Sequence, residues 1–184
     1  MLARAVLARS WWHRTIVARG MMGRMSLYDI PFERMDGTTT TLAEHRDDVV
    51  LVVNVASRCG LTPQYEALEQ LQKSYADRGF TVIGFPSNQF LQELSTDEKI
   101  AEFCSTTYGV TFPVVSKIRV NGRHTHPLYA ELKKTADAGG HDGRIRWNFE
   151  KFVVLPGGDV HRFSPQTVPD SPDIVGLIEK ALPR

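Results

Sequence analysis

The stretch VVLVVNVASRCGLTPQYEALEQL, residues 49–71, decides the fold because its hydrophobic period changes midway. Val49 to Val55 is a continuous, mostly β-branched run, the pattern of a strand covered on both faces. From Thr62-Pro63 onward, Tyr65, Leu68, Leu71 and Tyr75 recur at spacings of three and four. A cap hydroxyl followed by proline predicts that this helix starts at Thr62-Pro63, and Gly79 ends it. Cys59 falls in the short turn between strand and helix. It is one of only two cysteines in the chain.

Working outward, the same grammar repeats. Ile30 to Leu42 carries Asp36-Gly37 between short strand-like segments, which predicts a hairpin. Phe80 to Phe85 reads as a second buried strand. Ser95 and Glu98 form a capping-box pattern for a helix through Ile100, Phe103 and Cys104. Phe112 to Val120 reads as a third strand. Phe149 to Leu155, the turn PGGD at 156–159, and Val160 to Phe163 predict a closing hairpin. Ser171-Pro172-Asp173 starts a last helix with Ile174, Leu177, Ile178 and Ala181 on one face. With right-handed crossovers these elements predict an α/β, thioredoxin-like fold. Its central mixed sheet is flanked by helices and preceded by an extra hairpin.

Composition bounds the function. At 184 residues, with 42% hydrophobic and 23% charged residues, the chain has the profile of one globular domain. The net charge of +1 conceals an asymmetry. Arg4, Arg9, Arg14, Arg19 and Arg24 stand before the first acidic residue, Asp29. Without those five, 17 basic residues face 21 acidic ones, so the body offers no electrostatic reason to hold nucleic acid. Residues 1–25 are therefore expected to be a mitochondrial targeting segment, with residues 26–184 forming the domain and a cytoplasmic location as the alternative. No apolar run approaches the ~20 residues of a membrane span. His124 and His126 lack a third ligand in pattern, so no metal is expected.

The chemistry at Cys59 follows from its place in the fold. Loops at the carboxyl ends of strands in open α/β sheets build sites. Helix N-termini favour anions and can lower a thiol pKa from ~8.5 into the range of roughly 3.5–7.5. Arg58 adds in the same direction if its side chain turns inward. No second cysteine follows at a CxxC position, which disfavours ordinary dithiol exchange. A lone thiolate suits attack on a peroxide O–O bond to give a sulfenic acid. On these grounds a reactive thiol and a buried structural cysteine stay near balance.

Three further stretches tip that balance: FPSNQFLQE (85–93), TFPVVSKIRVNGRHTHPLY (111–129) and WNFEKFVV (147–154). Together with NVASRCGLTPQYEAL (54–68) they resemble the glutathione peroxidase family over nearly the whole chain after Met25. The resemblance implies a thioredoxin-fold enzyme that reduces hydroperoxides, lipid hydroperoxides included, with Cys59 as peroxidatic residue. Trp147 and Asn148 match the family's Trp-Asn pair, whose N–H groups donate to negative sulfur and oxygen. Taken alone, Trp147 reads as a strand-edge aromatic and Asn148 as a turn former. The catalytic amide maps to Gln92, with Gln89 as the alternate because this loop is one residue shorter than the family pattern.

The resemblance also places Cys104 near the segment where cysteine-type members carry a resolving cysteine. Its register is off by one, which on a helix turns the side chain by ~100° toward the core face beside Ile100. Resolving and core roles both stay open for it. No bound cofactor is expected. Thioredoxin, or a related dithiol protein, is the expected reducing co-substrate, with glutathione as the rival. The short segment 135–146 before Trp147 points to the compact, monomeric subgroup. From another class, the chain reads as a redox sensor that passes oxidation to a partner protein, or as a binding module with inert cysteines.

Overall fold

A computed structural model of the protein describes residues 26–182, so the basic segment 1–25 lies outside the described residues. β3 (Val49–Val55) occupies the centre of a four-stranded mixed sheet of order β4-β3-β5-β6. Its β-branched side chains enter two cores. Val49, Leu51, Val53 and Val55 face one, and Val50 and Val52 face the other. β4 (Phe80–Pro86) runs parallel to β3, from Val49 opposite Phe80 to Val55 opposite Pro86. The crossover between them is α1 (Gln64–Tyr75), followed by a 3₁₀ turn and Gly79 at φ +84°. β5 (Lys151–Val154) lies antiparallel on the other side of β3, and β6 (Val160–Phe163) closes the hairpin onto it.

Three helices cover the first face. α1 supplies Tyr65, Leu68 and Leu71, α2 (Asp97–Tyr108) supplies Ile100 and Cys104, and α4 (Pro172–Ala181) supplies Ile174 and Ile178. The second face is covered by α3 (Pro127–Leu132), through Leu128, Tyr129 and Leu132, and by the N-terminal hairpin. That hairpin pairs β1 (Phe32–Glu33) with β2 (Thr39–Thr40). Its turn needs glycine at position 37, where φ is +82°, and Thr38 bonds back to the Asp36 carboxylate. The architecture is the α/β, thioredoxin-like one expected, with the first two buried strands, the closing hairpin and the last helix where the hydrophobic period puts them.

Three local expectations are corrected, and one helix is added. Residues 112–120 form no strand: Val114 bridges only to Gly84, and Val115 only to Arg34. Pro113 has no N–H to give a ladder, and the next donors are spent on single carbonyls and on a side chain, Gln89. The first crossover helix begins at Gln64 rather than Thr62-Pro63, because the Thr62 hydroxyl is engaged in the Cys59 turn. α2 is capped by Thr96, not Ser95: Thr96 accepts from Lys99 N, while the Ser95 carbonyl accepts from Lys117 Nζ. α3 was not anticipated. His126 caps it, its Nδ1 accepting from Leu128 N, with Pro127 at the first helical position.

Candidate active site

β3 ends at Val55, and the chain then folds through tight turns to α1. Cys59, 7% exposed, is held in those turns by one threonine. Cys59 N–H donates to Thr62 Oγ1 at 2.9 Å, and that hydroxyl donates to the Ala56 carbonyl at 2.9 Å. Thr62 N–H donates to the Cys59 carbonyl. The first amides around the helix start are already taken: Gln64, Tyr65 and Glu66 donate to Leu61, Thr62 and Pro63 carbonyls. The amide aimed at the sulfur therefore belongs to the turn, Leu61 N–H at 3.3 Å from Sγ. Arg58 is exposed, and its backbone N–H bonds the Gln92 carbonyl at 2.9 Å. It is this backbone bond, not the guanidinium, that serves the site.

The structure separates the two glutamines. Gln89 Oε1 accepts from Val120 N–H at 2.6 Å and Asn121 N–H at 2.7 Å, while its Nε2 donates to the Asn121 carbonyl at 3.0 Å. Its amide pins the 120–121 loop, an occupation that Gln92 does not share. Gln92 is half-buried, and its Oε1 accepts from Asn148 Nδ2 at 2.8 Å. Asn148 thus commits one of its two amide hydrogens to Gln92. Asn148 orients Gln92, and Gln92 Nε2 has no hydrogen bond among the described residues. Asn148 is fully buried, with its Oδ1 unpartnered there.

One residue beside each member of this pair is strained. Leu91 has φ +60° and Phe149 φ +64°, the only non-glycine residues in the left-handed region among those described. Each costs about 1–3 kcal/mol and persists only where the surroundings impose it. At Phe149 they do so through Asn54, a residue the sequence reading missed. Asn54 Nδ2 donates to the Trp147 carbonyl, its Oδ1 accepts from Glu150 N–H, and its backbone carbonyl accepts from Phe149 N–H at 2.6 Å. Its signal was a lone polar residue inside VVLVVNV. Trp147 is 39% exposed, with its ring 5.1 Å from that of Phe90 and no hydrogen bond to its indole N–H among the described residues.

A second missed residue, Glu93, binds the two loops together. Its Oε1 accepts from Ser57 N–H at 3.1 Å, Ser57 Oγ at 2.5 Å and Leu94 N–H at 2.7 Å. Burial raises the pKa of this carboxyl, and the Ser57 bonds act against that rise. No sequence motif singles it out, since its role depends on which serine folds opposite. Together, Glu93–Ser57 and Arg58–Gln92 fix the Cys59 turn beside the Gln92 loop.

Cys104 lies on the core face of α2, 3% exposed, with Sγ 3.5 Å from the Tyr65 hydroxyl. Burial pushes its thiol up to about 11, against the Tyr65 bond and with help from the Glu93 charge. Cys59 and Cys104 are both free thiols.

Residues 27–133, more than half the chain, match the family model described as Glutathione peroxidase. The Thioredoxin/glutathione peroxidase BtuE of Escherichia coli is 48% identical over 169 residues, covering 80% of this chain and 92% of that protein. The Glutathione peroxidase-like peroxiredoxin 2 of Saccharomyces cerevisiae is 49% identical over 160 residues, covering 84% and 98%. The crystal structure of apo Trgpx superposes with a TM-score of 0.67 at 37% identity, covering 86% of this chain and 96% of that one. A cysteine at the strand–helix turn, an amide pair joined across distant loops and these similarities agree: the chain belongs to the glutathione peroxidase family, in its cysteine form.

Proposed function

We propose that the protein is a thiol peroxidase in which Cys59 reduces hydroperoxides and a thiol co-substrate restores it. The carrying observation is the Asn148–Gln92 hydrogen bond, at 2.8 Å, on a loop tied by Arg58 N–H to the Cys59 turn. The Cys59 thiolate attacks the distal peroxide oxygen. The S–O bond forms as the O–O bond breaks, sulfur is oxidised to a sulfenic acid, and the alkoxide leaves as alcohol after taking up a proton. Gln92 Nε2 and the Trp147 indole N–H are the donors for the developing oxyanion, and Asn148 holds Gln92 in place. Leu91 and Trp147, both exposed and next in sequence to Gln92 and Asn148, offer apolar surface suited to organic and lipid hydroperoxides.

The sulfenic acid is resolved by Cys104, forming the Cys59–Cys104 disulfide and releasing water. At neutral pH the Cys104 thiol is protonated and lies under α2, so α2 opens before resolution. Thioredoxin reduces that disulfide, glutathione is the rival donor, and both are co-substrates rather than bound cofactors. The E. coli relative carries both donors in its name. The enzyme works as a monomer. Among the described residues no helix is long and apolar enough to cross a membrane.

Hydroperoxide consumption coupled to NADPH, with either donor, tests this reading. Thioredoxin-supported turnover is expected in wild type, and Cys104→Ser is expected to lose at least about tenfold of it while the first oxidation of Cys59 is unchanged. Unchanged steady-state turnover in Cys104→Ser removes the resolving role. A wild type that oxidises once and cycles with neither donor favours the sensor. The basic, acid-free segment 1–25 supports a mitochondrial location. Fused to a fluorescent protein, it is expected to direct import, and diffuse cytosolic signal overturns that.

A further inference from the structure

Lys151 is fully buried at the start of β5, opposite Val53. Its Nζ donates to the Phe149 carbonyl at 2.6 Å and to the Pro165 carbonyl at 3.3 Å. The same Pro165 carbonyl accepts from Gln64 Nε2 at 2.9 Å. Gln64 opens α1, directly after the turn that holds Cys59. An unbroken chain of hydrogen bonds thus runs from the Cys59 helix, through Pro165 and Lys151, to the residue that follows Asn148.

The Phe149 carbonyl has few other ways to be satisfied. Phe149 is in the left-handed region, and β3 takes only its N–H, through the Asn54 carbonyl. The next carbonyl, that of Glu150, is the one that turns back to β3, through Asn54 N–H. A buried backbone oxygen left without a donor would favour a different backbone path for residues 147–149. Lysine is a costly way to supply that donor. Burial pushes its pKa down to about 7, with the Glu150 carboxylate acting against the drop, and its recorded partners are carbonyls. An apolar side chain of similar length would fill the same space at no desolvation cost.

We propose that Lys151 is a positioning residue for peroxide reduction: it clamps the Phe149 carbonyl to the Pro165 loop and so sets Asn148, and with it Gln92, against the Cys59 turn. The proposal rests on the peroxidatic reading of Cys59. It adds a residue that touches neither sulfur nor peroxide and acts through Asn148.

Lys151→Met tests it in the full chain. Two rates are measured on folded protein: sulfenic acid formation at Cys59 with H₂O₂, and alkylation of Cys59 by iodoacetamide without peroxide. The expected result is a loss of about tenfold in the first with the second within twofold, since alkylation uses the thiol but not the oxyanion donors. Adding Lys151→Met to Asn148→Ala is expected to cost less than a further twofold, because the clamp then has nothing to position. Equal peroxide rates in Lys151→Met and wild type overturn the proposal, as does a full tenfold loss on top of Asn148→Ala. If Lys151→Met does not fold, Lys151→Arg decides. A folded Arg variant within threefold of wild type supports the clamp, and a tenfold loss overturns it. Failure of the underlying reading shows separately, as peroxide consumption that survives Cys59→Ser.

Discussion

Cys59→Ser is expected to lower hydroperoxide turnover by at least about a thousandfold, with either donor. The reason lies in the nucleophile. A serine hydroxyl stays protonated at neutral pH and cannot accept a peroxide oxygen as sulfur does, so no sulfenic acid forms. The fold should be untouched, because Thr62 and backbone groups hold the Cys59 turn, and a serine hydroxyl can accept the Leu61 N–H that Sγ accepts now. The two glutamines calibrate this result. Gln92→Ala removes the proposed oxyanion donor and is expected to cost about a hundredfold in rate with little change in stability. Gln89→Ala removes three loop hydrogen bonds and is expected to lower the melting temperature while keeping the rate per folded molecule within about threefold. Stopped-flow peroxide consumption alongside thermal unfolding checks both. The reverse ordering of the glutamines would remove Gln92 from the chemistry.

Arg162→Met is expected to destabilise the fold by about 3–5 kcal/mol, since it leaves a buried carboxylate without its main partner. Glu150 and Arg162 are paired at 2.6 Å with both side chains fully buried. Arg162 also donates to the Thr135 and Arg144 carbonyls, and its guanidinium lies 5.3 Å from the Phe152 ring centre. Without it, Glu150 retains the Arg146 N–H and, at 3.6 Å, the half-exposed Arg146 guanidinium. In a chain of this size the loss corresponds to roughly 10 °C in melting temperature. The double variant Glu150→Leu/Arg162→Met should recover much of it, because no unpaired charge stays behind. A single variant within about 1 kcal/mol of wild type would show that water reaches Glu150 and that the pair is not dry.

The parts of the fold legible in the sequence were those whose pattern is local. VVLVVNV, FTVIGF and the PGGD hairpin declare themselves through residue type, and Ser171 caps α4 with Ile174 N–H as its position implies. What stayed hidden depended on a partner far along the chain. Residues 112–120 have strand composition, yet Gln89 and lone carbonyls take their donors. Ser95 and Thr96 are equally good caps by type. The cap settles on Thr96, with Lys117, from another loop, bonded to the Ser95 carbonyl. At the site, position marked Cys59, and family resemblance marked Gln92, Trp147 and Asn148. Ser57, Glu93 and Lys151 were invisible because a polar residue becomes structural only through what folds opposite it, and Asn54 showed only as a lone polar residue inside VVLVVNV. The choice between Gln89 and Gln92 likewise needed three dimensions.

On the resolving role proposed for Cys104, its burial under α2 would make the lifetime of oxidised Cys59 a property of helix stability. If Cys104 resolves the sulfenic acid, only molecules with α2 locally open can do so, and the observed rate scales with that open fraction. Each 1.4 kcal/mol added to α2, whether at the Thr96 cap or the Gly109 end, would then slow resolution about tenfold. A stiffer protein would hold its sulfenic acid longer, at greater risk of over-oxidation and with more time to meet another protein's thiol. With Cys104 in that role, the Cys104–Tyr65 contact in the core would act as a timer, and its setting would divide one protein between scavenging peroxide and reporting it.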